Sequence, residues 1–173
     1  RTPIIREIDG NYLRFYENVF VINAGGDTET VTLLRDVPDM DFICENENRL
    51  WGCKGDTVYG SKLGDPFNWN VFDGVATDSF AVDVGSAGDF TGCVSFLGYP
   101  CFFKEEHIYK MYGDKPSNFQ LMGSASLGVE AGSDRSFTIA GEVLFYLSRA
   151  GIVAYSGGIP QSIASPFGTD RYK

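Results

Sequence analysis

The sequence predicts an all-β fold of repeated four-stranded antiparallel units. Three observations lead there. A segment recurs along the chain: Lys54-Gly55-Asp56-Thr57-Val58-Tyr59, followed by Gly64-Asp65-Pro66-Phe67-Asn68-Trp69, returns fifty positions later as Lys104-Glu105-Glu106-His107-Ile108-Tyr109 and then Gly113 to Phe119, so that Pro66, Asn68 and Trp69 fall on Pro116, Asn118 and Phe119. Short runs of β-branched and aromatic residues alternate with Gly, Asn, Asp and Pro punctuation, the pattern of strands joined by tight turns. No window of a dozen residues carries an apolar stripe at helical spacing, which predicts very low helix content. Four-stranded units repeating at roughly forty to fifty residues are the signature of β-propeller blades, so a β-propeller is the predicted architecture, with a β-sandwich or barrel as the alternative.

Taken in order, the faintest copy comes first: Phe15-Tyr16-Glu17-Asn18-Val19-Phe20-Val21 matches Cys53 to Tyr59 at an offset of thirty-eight, within a first blade over 2–34. The second blade, 39–73, has strands expected at Phe42 to Cys44, Arg49 to Cys53, Thr57 to Ser61 and Trp69 to Phe72. After it, the alternating stretch Ser79-Phe80-Ala81-Val82-Asp83-Val84 is left without a settled place. The third, 88–123, offers Thr91 to Phe96, Tyr99 to Lys104, His107 to Tyr112 and Asn118 to Met122. The last, 134–165, lies forty-four positions further on, with Tyr146 to Val153 on Phe102 to Tyr109 and Pro160 on Pro116; its strands are expected at Arg135 to Ala140, Val143 to Ser148, Gly151 to Ser156 and Pro160 to Ala164. Recurrence marks Trp51, Trp69, Phe103 and Phe119, with Pro66, Pro116 and Pro160, as blade-building residues, the four aromatics being expected in the core.

Composition bounds the function. A formal net charge of −9 with no basic stripe argues against nucleic-acid binding. No apolar run reaches the roughly 18 residues of a membrane helix, and no signal peptide opens the chain, so a soluble protein is expected. Arg1 stands where an initiator Met is absent, which suggests a larger protein that was processed, cleaved or represented in part. At most four blades are then present, too few for a typical ring, and open edges are expected around Ile4 to Glu7 and Ser162 to Ser165. Cys44, Cys53, Cys93 and Cys101 lack zinc-site and redox spacings; each of the pairs 44 with 53 and 93 with 101 brackets a hairpin turn and is expected as cross-strand buried thiols or, in an oxidising compartment, a disulfide.

Candidate chemistry is sparse, and no catalytic, metal or cofactor residue is assigned. The one histidine, His107, falls at an expected turn beside Glu105 and Glu106, where the equivalent positions hold generic turn residues; an exposed charged turn is the reading. There is no Gly-x-Ser-x-Gly elbow and no phosphate-cradling glycine motif. Asp39 with Asp41, or Asp27 with Glu29, would serve a glycosidase only if they faced each other across a cleft, which sequence does not place. Asp65-Pro66-Phe67-Asn68-Trp69 after Ser61 loosely resembles the Asp-box turn of sialidase-type propellers, and is read as a turn with an aromatic plug.

Asn48-Arg49-Leu50-Trp51-Gly52, Ser61 to Trp69 and Ala140 to Gly151 resemble propeller segments in virion proteins of tailed bacteriophages and prophages, including packaged-DNA stabilisation and tail-accessory proteins. The resemblance spans Met40 to Ala164 and rests on blade-building residues, which mark fold more than role. It implies a non-enzymatic structural component of the neck, tail or tail-accessory assembly, made in the bacterial host cytoplasm and carried in the virion. Its partners would be other virion subunits or the missing part of the same parent chain, in a homo-oligomeric arrangement. The alternative is a carbohydrate-binding or glycan-cleaving propeller at a cell surface.

Overall fold

The computed structural model describes residues 37–163 in full and, before them, the backbone of three strands. The chain divides into two compact units, Arg1–Leu34 and Arg35–Lys173. In the first, β1 (Ile5–Asp9), β2 (Tyr12–Phe15) and β3 (Val19–Val21) form an antiparallel sheet in that order, with Arg14 opposite Val19. The rest of the faint first copy, including the edge expected at Ile4, lies outside the described residues, as do Asp27 and Glu29.

The second unit holds three four-stranded antiparallel sheets, each a meander of strands consecutive in the chain. The first sheet is β4 (Phe42–Asn46), β5 (Arg49–Lys54), β6 (Thr57–Gly60) and β7 (Phe80–Asp83). The second is β8 (Gly92–Phe96), β9 (Tyr99–Phe103), β10 (His107–Tyr112) and β11 (Gln120–Ala125). The third is β12 (Thr138–Ala140), β13 (Val143–Ser148), β14 (Gly151–Tyr155) and β15 (Gln161–Ser162). Among the described residues the only helical elements are two single 3-10 turns, Pro116–Asn118 and Asp134–Ser136. Two-residue hairpins set the registers: Glu47 and Asn48 (φ 50° and 60°) join β4 to β5, and Leu97 and Gly98 (φ 51° and 78°) join β8 to β9. Consecutive left-handed residues of this kind match the twist of the strands they connect.

The two central strands of each sheet fall where the repeat places them, and several edge strands differ. The fourth strand of the first sheet is Phe80–Asp83, not Trp69 to Phe72. Its alternation decides this: Phe80, Val82 and Val84 pack on the core, whereas Phe72 is 63% exposed. Trp69 to Phe72 belong instead to the long β6–β7 connection. In the second sheet the Pro116 turn displaces the outer strand from Asn118 to Met122 to Gln120–Ala125; in the third, the 3-10 turn shortens the expected Arg135 to Ala140 strand to Thr138–Ala140. Gln161–Ser162 stands within the expected Pro160 to Ala164 strand, and the edge expected to run on to Ser165 extends beyond the described residues.

Because side chains alternate across a strand, each sheet has one face turned toward the following sheet, here called forward, and one backward. The forward face of the first sheet (Trp51, Cys53, Val58) packs on the backward face of the second (Cys93, Phe102, Tyr109, Met111), with Phe90 closing the junction. The forward face of the second (Phe96, Cys101, Phe103, Ile108) packs on the backward face of the third (Leu144, Tyr146, Val153, Tyr155), with Val129 between. Aromatic pairs lace both junctions: Trp51 meets Phe102 and Phe119 edge to face, and Phe103 meets Tyr155 edge to face and Phe137 and Tyr146 at a tilt. Each such pair contributes about 0.5–1.5 kcal/mol beyond its buried area. Of the expected blade aromatics, Trp51 and Phe103 are buried and Phe119 is half-buried against the first junction. Trp69 is buried within a connection and belongs to neither sheet core.

Candidate functional site

Polar side chains concentrate at the two ends of the sheet junctions. At the end formed by the β4–β5 and β8–β9 turns, a cleft of about 720 Å³ opens between the first and second sheets. Trp51, Tyr99 and Phe119 form its aromatic wall, and Asn46, Asn48 and Asp114 bring amide and carboxylate groups. Asn46 donates to Ser95 Oγ at 2.8 Å, tying the sheets together at the cleft. Asn118 donates to the Asp114 carboxylate at 2.5 Å and so holds its pKa below the usual range.

Arg49 lies at the base of this cleft, 3% exposed. Its Nη1 donates to the backbone carbonyls of Ser61 and Asp78, and the guanidinium lies over the Phe119 ring at 5.3 Å. Burial lowers its pKa, and the Asp78 charge partly opposes that. The Asp78 carboxylate accepts from the backbone N–H of Gly74 and Val75. Arg49 and Asp78 together pin the long β6–β7 connection, whose resemblance to an Asp-box is local: Asp65 accepts from Phe67 N–H, and Trp69 Nε1 donates to the Pro66 carbonyl at 2.9 Å. Pro66 is exposed, Pro116 opens its 3-10 turn, and Pro160 is buried before β15.

Lys104 holds the opposite end, 1% exposed, with Nζ donating to Asp56 at 2.6 Å and to the Ser86 carbonyl at 2.8 Å, and 5.1 Å from the Phe90 ring centre. Asp56 belongs to the β5–β6 turn of the first sheet. One repeat later, Glu106 of the β9–β10 turn pairs with Arg149 of the third sheet at 2.5 Å. Each of these two turns thus offers a carboxylate to a cation of the next sheet.

His107 is the first residue of β10 rather than an exposed turn residue. It is half-buried, its ring stacked on Tyr109, and its Nδ1 is buried without a hydrogen-bond partner among the described residues. The flanking carboxylates are engaged elsewhere: Glu105 accepts from Ala131 N–H and Glu106 holds Arg149. The register of β10 against β9 explains the difference, since Ile108 must face Phe103 to fill the second junction. Asp39 and Asp41 both pair with Lys54, at 2.5 and 3.5 Å, rather than facing each other across a cleft.

No protein family matches the chain, and no curated protein matches it. What the residues can do is therefore read from their own geometry.

The cysteines are free thiols. Cys44 and Cys53 share the forward face of the first sheet, as expected of a cross-strand pair, though their direct partners are Trp51 and Phe42. Cys93 and Cys101 do not pair: Cys93 stands opposite Phe102 and Cys101 opposite Val94, so their side chains leave opposite faces of the second sheet. Cys93 instead meets Cys44 and Cys53 across the first junction. A hydrogen-bonding contact with Cys93, then burial, raises the Cys44 pKa; for Cys93 the contact with Cys44 lowers it, and Cys53 with burial outweighs that. Burial pushes Cys101 up to about 12. These are packed thiols, and no group of three or more metal-ligating side chains placed to hold an ion occurs among the described residues.

Sequence reading missed Arg49 and Lys104 as junction residues. Lys104 had a usable signal, since it aligns with Lys54 in the repeat. Arg49 had none, because its partner Asp78 lies 29 residues away in a connection with no counterpart in the other copies.

Proposed function

We propose that the three stacked sheets are blades of a β-propeller and that the chain is a non-enzymatic structural component of a phage virion, acting by protein–protein docking. The observation that carries the reading is the reuse of one junction. Residues at equivalent repeat positions face the same way in successive sheets, and a carboxylate–cation pair recurs between their turns, as Asp56–Lys104 and Glu106–Arg149. Stacking of this kind propagates by rotation about one axis, which is how blades are arranged. The sequence resemblance to tailed-phage propeller segments supports the virion setting. The buried polar groups support a structural role, since Arg49 and Lys104 hold connections and junctions in place.

Antibody raised against the chain tests the setting. Immunogold on particles released from an induced culture of the source bacterium is expected to label the neck or tail; label confined to the cell envelope would overturn it. Screens against glycosides, esters and phosphodiesters are expected to show no turnover, and turnover lost when a single carboxylate is changed to its amide would refute the non-enzymatic reading. The aromatic and amide lining of the 720 Å³ cleft favours one second reading, a glycan-binding propeller. Protection of Tyr99 and Trp51 by a neutral oligosaccharide would support that alternative.

A further inference from the structure

The first strands of the first two sheets, β4 and β8, lie side by side across the first junction, but they belong to different sheets and share no backbone ladder. Side chains alone join them. Asn46 Nδ2 on β4 donates to Ser95 Oγ on β8 at 2.8 Å. Two residues earlier on each strand stand Cys44 and Cys93, on the same faces as Asn46 and Ser95, and their thiols are in hydrogen-bonding contact. Both contacts join residues forty-nine positions apart, so β4 and β8 run in the same direction and in register. The Asn46–Ser95 bond thus holds Cys44 against Cys93.

The same geometry disfavours every other pairing of the four thiols. Cys44 and Cys53 are diagonal neighbours on β4 and β5, because their direct partners are Trp51 and Phe42. Diagonal positions of an antiparallel pair lie about 7–8 Å apart, beyond the span of roughly 4.4–6.8 Å between Cα atoms that a disulfide bridges. Cys93 and Cys101 leave opposite faces of the second sheet, and Cys101 belongs to the other junction. Cys53 also touches Cys93, but from β5, which packs far less on β8 than β4 does.

We infer that Cys44 and Cys93 are a disulfide site, a covalent staple between the first and second sheets that closes when the chain folds in an oxidising medium. All four cysteines are free thiols in this structure, which is therefore the reduced form of the site. Oxidised glutathione serves as the oxidant. The Cys44 thiolate attacks one of its sulfurs, breaking that S–S bond, forming a mixed disulfide and releasing one glutathione thiolate. The Cys93 thiolate then attacks the Cys44 sulfur, forming the bond between the sheets and expelling the second glutathione. The two glutathione thiolates take up the two protons that the cysteines lose, so two cysteines are oxidised and one glutathione disulfide is reduced. Cys93 is 9% exposed in the folded chain, so the bond is set during folding rather than added afterwards. It is a property of the fold and does not depend on the virion setting.

The test uses the full wild-type chain, unfolded in urea with reductant and refolded by dilution into a buffer of oxidised and reduced glutathione. Remaining thiols are alkylated and the chain is mapped by non-reducing peptide mass spectrometry. Cys44 is expected linked to Cys93, with Cys53 and Cys101 alkylated. The bond closes a loop of about fifty residues, so the oxidised form is expected to melt roughly 5–15 °C above the reduced form, and reductant added after unfolding should abolish the difference on refolding. Cys44→Ser should lose that difference, whereas Cys53→Ser should keep it. Any other pairing as the main product, four alkylated thiols in a chain with native circular dichroism, or a bond that forms without raising the melting temperature would overturn the proposal. Should the chain not refold in vitro, the wild type secreted into a bacterial periplasm is mapped in the same way, with the same outcomes deciding.

Discussion

Removing Asp56 should damage the protein more than removing Lys104, although Asp56 is the exposed partner. The Lys104 side chain is 1% exposed and that of Asp56 56%. Breaking a buried ion pair from one side typically costs about 3–5 kcal/mol, because the charge left behind is neither solvated nor paired. In Asp56→Ala the stranded group is Lys104, which keeps the Ser86 carbonyl at 2.8 Å and the Phe90 ring at 5.1 Å. Those contacts and the partial solvation of Asp56 reduce the expected loss to about 2–4 kcal/mol. Lys104→Met strands only a carboxylate that water already reaches and keeps an apolar chain in the junction, so about 0–1 kcal/mol is expected. With each kcal/mol worth about 2–4 °C in a chain of this size, Asp56→Ala should melt roughly 5–15 °C below the wild type and Lys104→Met within a few degrees of it. Thermal unfolding followed by near-UV circular dichroism, with urea titration for the free energies, decides the order. Equal losses, or a larger loss for Lys104→Met, would refute the claim that a desolvated cation is held from the neighbouring turn.

Phe103→Ala, at 0% exposure among Phe137, Tyr146 and Tyr155, should cost about 3–5 kcal/mol by opening a cavity. Trp69→Ala should cost less than Phe103→Ala despite the larger side chain, since Trp69 packs within a connection; urea unfolding of both ranks them. The thiols should resist a disulfide-exchange reagent at pH 8 until the protein is unfolded, and peptide mapping after oxidation should find no bond between Cys93 and Cys101. Burial raises Cys101 from 9.0 and Tyr155 from 10.0, each to about 12. The unfolded chain therefore releases these protons first, and the stability they contribute is full below about pH 9 and lost as pH rises toward 12, at on the order of 1 kcal/mol per unit and group. Chemical unfolding at pH 8, 10 and 11 checks the slope, and a stability that held flat over that range would refute it.

Strand identity and period were legible in the sequence because they are local. The runs from Arg49 to Tyr59, Tyr99 to Tyr112 and Val143 to Tyr155 are short stretches rich in apolar and aromatic residues broken by hairpin turns, and the two central strands of each sheet lie there. All-β character and the four-stranded unit follow from those runs, their turn punctuation and their recurrence. Local signal fails at the outer strands: Trp69 to Phe72 is as aromatic as Phe80 to Asp83, and only pairing with β6 selects the second. It fails also at every contact between sheets, because sequence records which residues share a face but not which face meets which sheet. Cys93 and Cys101 look like partners across a turn, yet the register sets Cys93 opposite Phe102, and Cys101, the residue just before Phe102 on that strand, points the other way. The buried cation of Lys104, the Arg49 anchor to Asp78 and the thiol cluster belong to that second class. They join residues tens of positions apart, and only stacking of the sheets brings their desolvated polar groups within hydrogen-bonding distance of a partner.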